Sequence, residues 1–159
     1  MSDYYADQLA AGDAYERYVL EQLNREGIQV ARLGTQADQF ALGDALIAGQ
    51  PVEIKFDNRF AETGRLFIEI AEKRRAEQRD WHPSGIFAQS SAKWYGVGDY
   101  DWWFVFRRSA LRAVAVTQRV ITIGRQTSRG FLMAADLRKR LCVLERLWPR
   151  PVTAADIHW

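Results

Sequence analysis

The sequence predicts an α/β fold: one central mixed sheet of about five strands, flanked by helices. Three observations carry this. Residues 13–25 place apolar side chains at helical spacing, two short strand-like runs at 44–48 and 52–56 sit either side of a turn, and strands and helices alternate along the chain. The chain has 159 residues, which fits a single domain over 1–159 able to bury a core without staples. With 48% apolar and 26% charged residues it belongs among folded, water-soluble chains and not among disordered ones.

Each element has its own reason. Tyr15, Tyr18, Val19 and Leu23 recur on one helical face, and Gly27 is placed to end that helix. Residues 28–33 alternate as a short strand, and 34–43 read as a loop. The runs 44–48 and 52–56 form a hairpin through Gly49-Gln50-Pro51, and 66–71 is a third strand. Residues 72–80 are a charged turn or loop. Pro83-Ser84-Gly85 breaks the chain before an expected helix over 86–95. The aromatic run 102–106 reads as a strand buried on both faces. A short helix from Ser109, strands at 120–123 and 130–133, and a helix over 134–148 stopped by Pro149 and Pro151 complete the chain.

Charge is unevenly spread. The net +2 divides into −6 over residues 1–106, +9 over 107–150 and −1 from Asp156, so the second part is a candidate footprint for phosphates. A solvated surface balanced by the acidic part accounts for the same numbers. Cys142 is the single cysteine, which excludes an internal disulfide, and its apolar neighbours suggest a buried small hydrophobe. The first residues carry acids and no long apolar run, so we expect no signal peptide, no membrane span and a cytoplasmic protein.

The chemistry concentrates in Asp44 and Val52-Glu53-Ile54-Lys55. Glu53 and Lys55 are two apart in a strand and share a face, while Val52, Ile54 and Phe56 take the other. A hairpin returns Glu53 close to Asp44, and two facing carboxylates repel unless a cation lies between them. Mg²⁺ (or Mn²⁺) suits such a pair because it takes oxygen ligands and keeps most of its waters. A neighbouring Lys can orient the attacking water or help deprotonate it, and can stabilise charge on a phosphate.

The order Asp44, Glu53-Ile54-Lys55 resembles the PD-(D/E)XK nuclease superfamily. The resemblance covers about residues 12–106 and leaves 107–159 as a basic C-terminal extension. It implies a restriction endonuclease-like core, Asp44 and Glu53 as metal ligands together with the backbone carbonyl of Ile54, and Lys55 as the residue that positions water. Gly12-Asp13-Ala14-Tyr15-Glu16-Arg17 resembles the opening of archaeal-type Holliday junction resolvases, which implies that Glu16 reaches the metal directly or through water. Arg32-Leu33-Gly34-Thr35 is similar to a segment of those enzymes and makes Thr35 a possible phosphate contact. Gly43 stands where the superfamily pattern often has Pro. Residues 84–95, more loosely, are similar to small phage-type nucleases.

Other candidates are weaker. Glu69 alternates with Leu66, Ile68 and Ile70 and could join the carboxylate face. Gln89, Ser90 and Lys93 fall on the expected helix over 86–95, with Gln89 and Lys93 on one side. Lys93, Arg107, Arg108, Arg112, Arg125 and Arg129 are candidate nucleic-acid contacts; Lys73, Arg74, Arg75 and Arg79 are as well read as exposed charge. Trp94, Tyr95, Trp102, Trp103 and Phe104 invite a base-stacking reading, but a core role is the better one. His82 and His158 lack partners at metal-ligand spacing. The expectation is a Mg²⁺-dependent endonuclease acting on DNA, including branched DNA, as a homodimer. The rivals are a restriction- or repair-type endonuclease, a non-catalytic nucleic-acid-binding module of the same fold, and a structural or interaction protein.

Overall fold

In the computed structural model, residues 3–149 are described; Pro151, Asp156 and His158 lie outside them. The chain runs α1 (Asp3–Arg25), β1 (Val30–Arg32), α2 (Gln36–Leu42), β2 (Ala45–Ile47), β3 (Gln50–Phe56), α3 (Phe60–Thr63), β4 (Leu66–Glu72) and β5 (His82–Pro83). A 3-10 turn at Gly85–Phe87 follows, then β6 (Trp94–Gly98), β7 (Trp102–Arg107), α4 (Arg108–Ala115), β8 (Ile121–Ile123), β9 (Ser128–Met133), α5 (Ala135–Leu141) and β10 (Cys142–Leu147). The fold is mixed α/β with two sheets. One has six strands in the order β1-β2-β3-β6-β7-β10, and the other four in the order β5-β4-β9-β8. In the larger sheet only β3 and β6 run parallel; the other pairs are antiparallel.

The layers follow from strand alternation. Val52 and Ile54 face α1, where they pack with Tyr15, Val19, Leu20 and Leu23 and with Trp103 and Trp148. The opposite face of the same sheet supplies Tyr95, Val97, Phe104 and Phe106 to a second core, against Leu66, Ile68, Phe131 and Met133 of the smaller sheet. The six-stranded sheet is thus covered by a helix on one side and by a sheet on the other. Glu53 and Lys55, out of phase with Val52 and Ile54, are directed towards the smaller sheet.

Several sequence expectations are corrected. α1 begins at Asp3 and not near residue 13, because the Ala-containing run before Gly12 favours helix. The expected loop 34–43 contains α2, capped by Thr35, whose hydroxyl accepts from Asp38 N. The strand at 66–71 exists but leaves the central sheet to found the smaller one. No helix forms over 86–95; after the 3-10 turn the chain is irregular to residue 93 and then enters β6. Parallel pairing with β3 holds 94–98 extended, and the bare Gly96 lets the Trp103 ring lie where a Cβ would come within 1.9 Å of it. The expected helix over 134–148 is helical only through Leu141, and Cys142–Leu147 instead pairs with β7 as the sheet edge. Tertiary pairing outweighs helical periodicity here. Consequently residues 107–149 are no appendage, since β8, β9 and β10 complete the two sheets. Cys142 is half-buried, its thiol against the Val105 carbonyl at 3.6 Å.

Candidate active site

The site is built on the β2–β3 hairpin. Its two-residue turn is Ala48-Gly49, both with positive φ (50° and 76°), one residue earlier than the sequence suggests. The pairing Ile47↔Gln50, Leu46↔Pro51, Ala45↔Val52 ends there, and the Asp44 N–H then donates to the Val52 carbonyl at 3.0 Å, which brings Asp44 to the Glu53–Ile54 end of β3. β2 ends there, so the Ile54 N–H has no strand partner on that side. The Asp44 Oδ2 accepts from it at 2.6 Å. A residue's N–H and C=O leave the same side of a strand, so the Ile54 carbonyl also faces the Asp44 side. Gly43, at φ 106°, brings the chain in from α2; its Cβ would lie 3.0 Å from the Val52 carbonyl. Proline, confined near φ −65°, cannot take this conformation, which accounts for glycine before Asp44.

The Asp44 and Glu53 carboxyl groups are within hydrogen-bonding reach of each other. Burial and the Asp44 charge raise the proton affinity of Glu53, against the opposing effects of Lys55 and a hydrogen bond from Ser90. Ser90 Oγ donates to Glu53 Oε1 at 2.6 Å, and Arg108 Nη1 donates to Ser90 Oγ at 2.8 Å. Glu16, buried on α1, is pushed up to about 8 by burial and by Asp44, with Glu53 adding to the effect. Arg32 Nε donates to Glu16 Oε1 at 3.1 Å and also pairs with Asp13.

Lys55 is 35% exposed and lies 3.7 Å from Glu69 Oε1. Glu69 comes from β4 in the other sheet, and Ser84 and Ser128 each donate to it at 2.8 Å. Gly85 permits this crossing: at φ 55°, a Cβ there would lie 2.2 Å from the Glu69 carbonyl. Burial works to lower the proton affinity of Lys55, but Glu69, Asp44 and Glu53 outweigh it and the net shift is strongly upward. Lys55 is therefore an ammonium at any physiological pH. Glu16, Asp44, Lys55 and Glu69 line a groove of about 750 Å³ between α1, β3 and the smaller sheet; Glu53 sits just beneath it.

No group of three His, Cys, Asp or Glu side chains among the described residues is already arranged around a metal position. Mg²⁺ needs fewer, since it keeps several waters and binds through one or two carboxylates. Asp44 and Glu53, two carboxyl groups brought together with the Asp44 charge raising the proton affinity of Glu53, have the donor chemistry for such an ion, and Glu16 stands close enough to feel the same field.

The remaining candidates separate. Thr35 spends its hydroxyl on capping α2 and on Asp38, at 2.6 Å. Arg108 is 2% exposed and is no surface contact: its guanidinium holds the carbonyls of Ile86, Ala88, Ser90 and Ala92. Gln89 is exposed on the irregular segment and shares no helical face with Lys93. Lys93 and Arg107 are exposed, the latter 5.5 Å over the Trp94 ring. Arg125 and Arg129 lie over Tyr4 and Trp81, at 4.6 and 4.1 Å. Tyr95, Trp103 and Phe104 are core, with Trp94 and Trp102 half-buried. Sequence reasoning passed over Ser84 and Ser128, which carry no local signal, and the role of Arg32. Against known proteins, no family model, no curated protein and no solved structure matches the chain.

Proposed function

We propose that this chain is a Mg²⁺- or Mn²⁺-dependent nuclease that hydrolyses DNA phosphodiester bonds. The observation that carries the reading is the hairpin end, where Asp44 and Glu53 meet on one face with Lys55 beside them at the edge of an open groove. The resemblance of Asp44, Glu53-Ile54-Lys55 to the PD-(D/E)XK pattern supports it. Asp44, Glu53 and the Ile54 carbonyl would hold the ion, with Glu16 reaching it directly or through water. A bound Mg²⁺ would supply Lewis-acid stabilisation of the phosphate and lower the pKa of its water.

The chain's own residues do the rest. Lys55, kept cationic by Glu69, Asp44 and Glu53, donates to the attacking water and to a non-bridging phosphate oxygen; it is a donor and not a base. Glu69, held by Ser84 and Ser128, keeps the Lys55 ammonium in place. Within this class we propose a structure-selective endonuclease of the Holliday junction resolvase kind, cytoplasmic and acting as a homodimer that cuts two strands symmetrically. The Glu16-Arg17 stretch of α1 supports that choice. No helix among the described residues is long and apolar enough to cross a membrane.

The test is cleavage of linear, flap, four-way-junction and single-stranded DNA with Mg²⁺ or Mn²⁺. Wild type should cut, and Asp44→Ala and Glu53→Ala should lose activity while keeping their fold. Lys55→Ala should lower single-turnover rate far more than DNA affinity, with Arg a poor replacement. Cleavage by Asp44→Ala at the wild-type rate would refute the assignment.

A further inference from the structure

A second pocket, of about 490 Å³, opens around Ser90 and the start of α4. Its lining includes Lys93, Arg107, Arg108 and Arg112, with Ser90 and Trp94, and contains no acidic residue. None of these four cations forms an ion pair among the described residues. Gathering like charges in one concavity is unfavourable unless an anion is drawn in. The effect is already visible at Arg108, where burial and then the Arg112 charge disfavour the protonated guanidinium.

The pocket is also held in shape. Arg108 ties down the irregular segment through four carbonyls, and Ser91 N–H donates to Ala41 O at 2.7 Å, fastening the same segment to α2. Arg112 spends its Nε on the Ile86 carbonyl at 2.6 Å, which leaves its terminal nitrogens for a ligand. Ser90, in the wall of this pocket, links it to Glu53. One hydroxyl reaches Glu53 at 2.6 Å and receives Arg108 at 2.8 Å, so the pocket is one side chain away from the candidate catalytic carboxylates.

We propose that this pocket is a phosphate subsite, taking a backbone phosphate of the strand that lies across Asp44 and Glu53. This rests on the nuclease reading for the identity of its ligand. Lys93, Arg107 and Arg112 are the exposed contacts, while the buried Arg108 shapes the pocket. A nucleic-acid strand carries a phosphate about every 3.4 Å of axial rise, so a strand seated at Glu53 brings neighbouring phosphates within reach of these cations. Register along the strand is then fixed by a contact that reads no base.

The experiment measures binding of a fluorescein-labelled oligonucleotide by anisotropy in EDTA, across a salt series, for wild type, Lys93→Ala/Arg107→Ala and the exposed control Arg119→Ala. The double variant should flatten the dependence of log Kd on log salt by about 0.7–0.9 per lost contact. Arg119→Ala should leave the slope unchanged. An unchanged slope in the double variant, in a protein that still cleaves DNA, overturns the subsite and spares the nuclease reading. A pocket-dependent slope in a protein that cleaves nothing keeps the subsite and sinks the nuclease reading. Binding of inorganic phosphate that depends on Lys93 and Arg107, with no oligonucleotide binding, overturns the proposal and makes the pocket a site for a free anion.

Discussion

Glu16→Gln should make the protein more stable at neutral and alkaline pH while impairing its response to Mg²⁺. Glu16 rises from 4.5 to about 8 on folding, first through burial and then through Asp44. The folded chain therefore binds more protons than the unfolded chain between those two values. The stability linked to Glu16 is complete below about pH 4.5 and is lost as pH rises through about 8. At 1.36 kcal/mol per pH unit, that rise corresponds to about 4 kcal/mol by pH 8. Arg32 Nε, at 3.1 Å from Glu16, favours the ionised form, and the rise to about 8 is net of such pulls. Relaxation and water entry around the ionised carboxylate reduce the full value to about half, ~2 kcal/mol. Gln keeps an oxygen for Arg32 and cannot ionise, so it should abolish this component. Urea unfolding of wild type and Glu16→Gln at pH 5 and pH 8 is the assay, with Mg²⁺ added as a second axis. The variant should lose less stability than wild type between the two pH values, by ~2 kcal/mol, and gain less from Mg²⁺. Parallel pH curves would refute the argument that Glu16 is held protonated beside Asp44.

Two further outcomes are expected. Arg108→Met should destabilise the fold by roughly 3 kcal/mol or more, since four buried carbonyls lose their donor, and Arg108→Lys should not restore it because one ammonium cannot span them; chemical denaturation within about 0.5 kcal/mol of wild type for the Lys variant would count against this role. Ala48→Asn should raise stability by about 0.5–1 kcal/mol, because Ala at φ 50° is strained in a turn that favours Asn-Gly. A lowered melting temperature for that variant would contradict the turn geometry.

The parts of the fold that were legible in the sequence are those decided by short-range physics. The Ala45–Phe56 hairpin declares itself through Gly49 and through strict alternation in Val52-Glu53-Ile54-Lys55. α2 was equally readable, since Thr35 and Asp38 form a capping pair at the right spacing. Gly34 and Gly43 bracket it as they would a loop, which masks the helix between them. Residues 142–147 could not be read locally. Leu137, Leu141 and Leu144 keep helical spacing, and only the open edge of β7 converts Cys142–Leu147 into a strand. The same holds for 86–95, where parallel pairing of Val52 through Phe56 with Trp94 through Gly98 overrides a helix-like run.

The site divides along the same line, and the division bears on the chemistry. Asp44, Glu53 and Lys55 sit on one hairpin, so their spacing alone sets them together. What fixes the protonation state of Lys55 comes from elsewhere. Its largest partner is Glu69, held by Ser84 from the segment before the 3-10 turn and by Ser128 from β9. Those three residues meet only because β4 leaves the central sheet and pairs with β9. A sequence reading therefore allows Lys55 to be either a base or a donor, whereas the Glu69 that the second sheet brings beside it favours the donor. With Glu69 anchored 3.7 Å away and two more carboxylates acting on it, Lys55 is held towards its protonated form. Under the proposed nuclease reading, a cation in that place would orient water and bind phosphate oxygens, and deprotonation of the nucleophile would fall to the carboxylate pair and the water they hold.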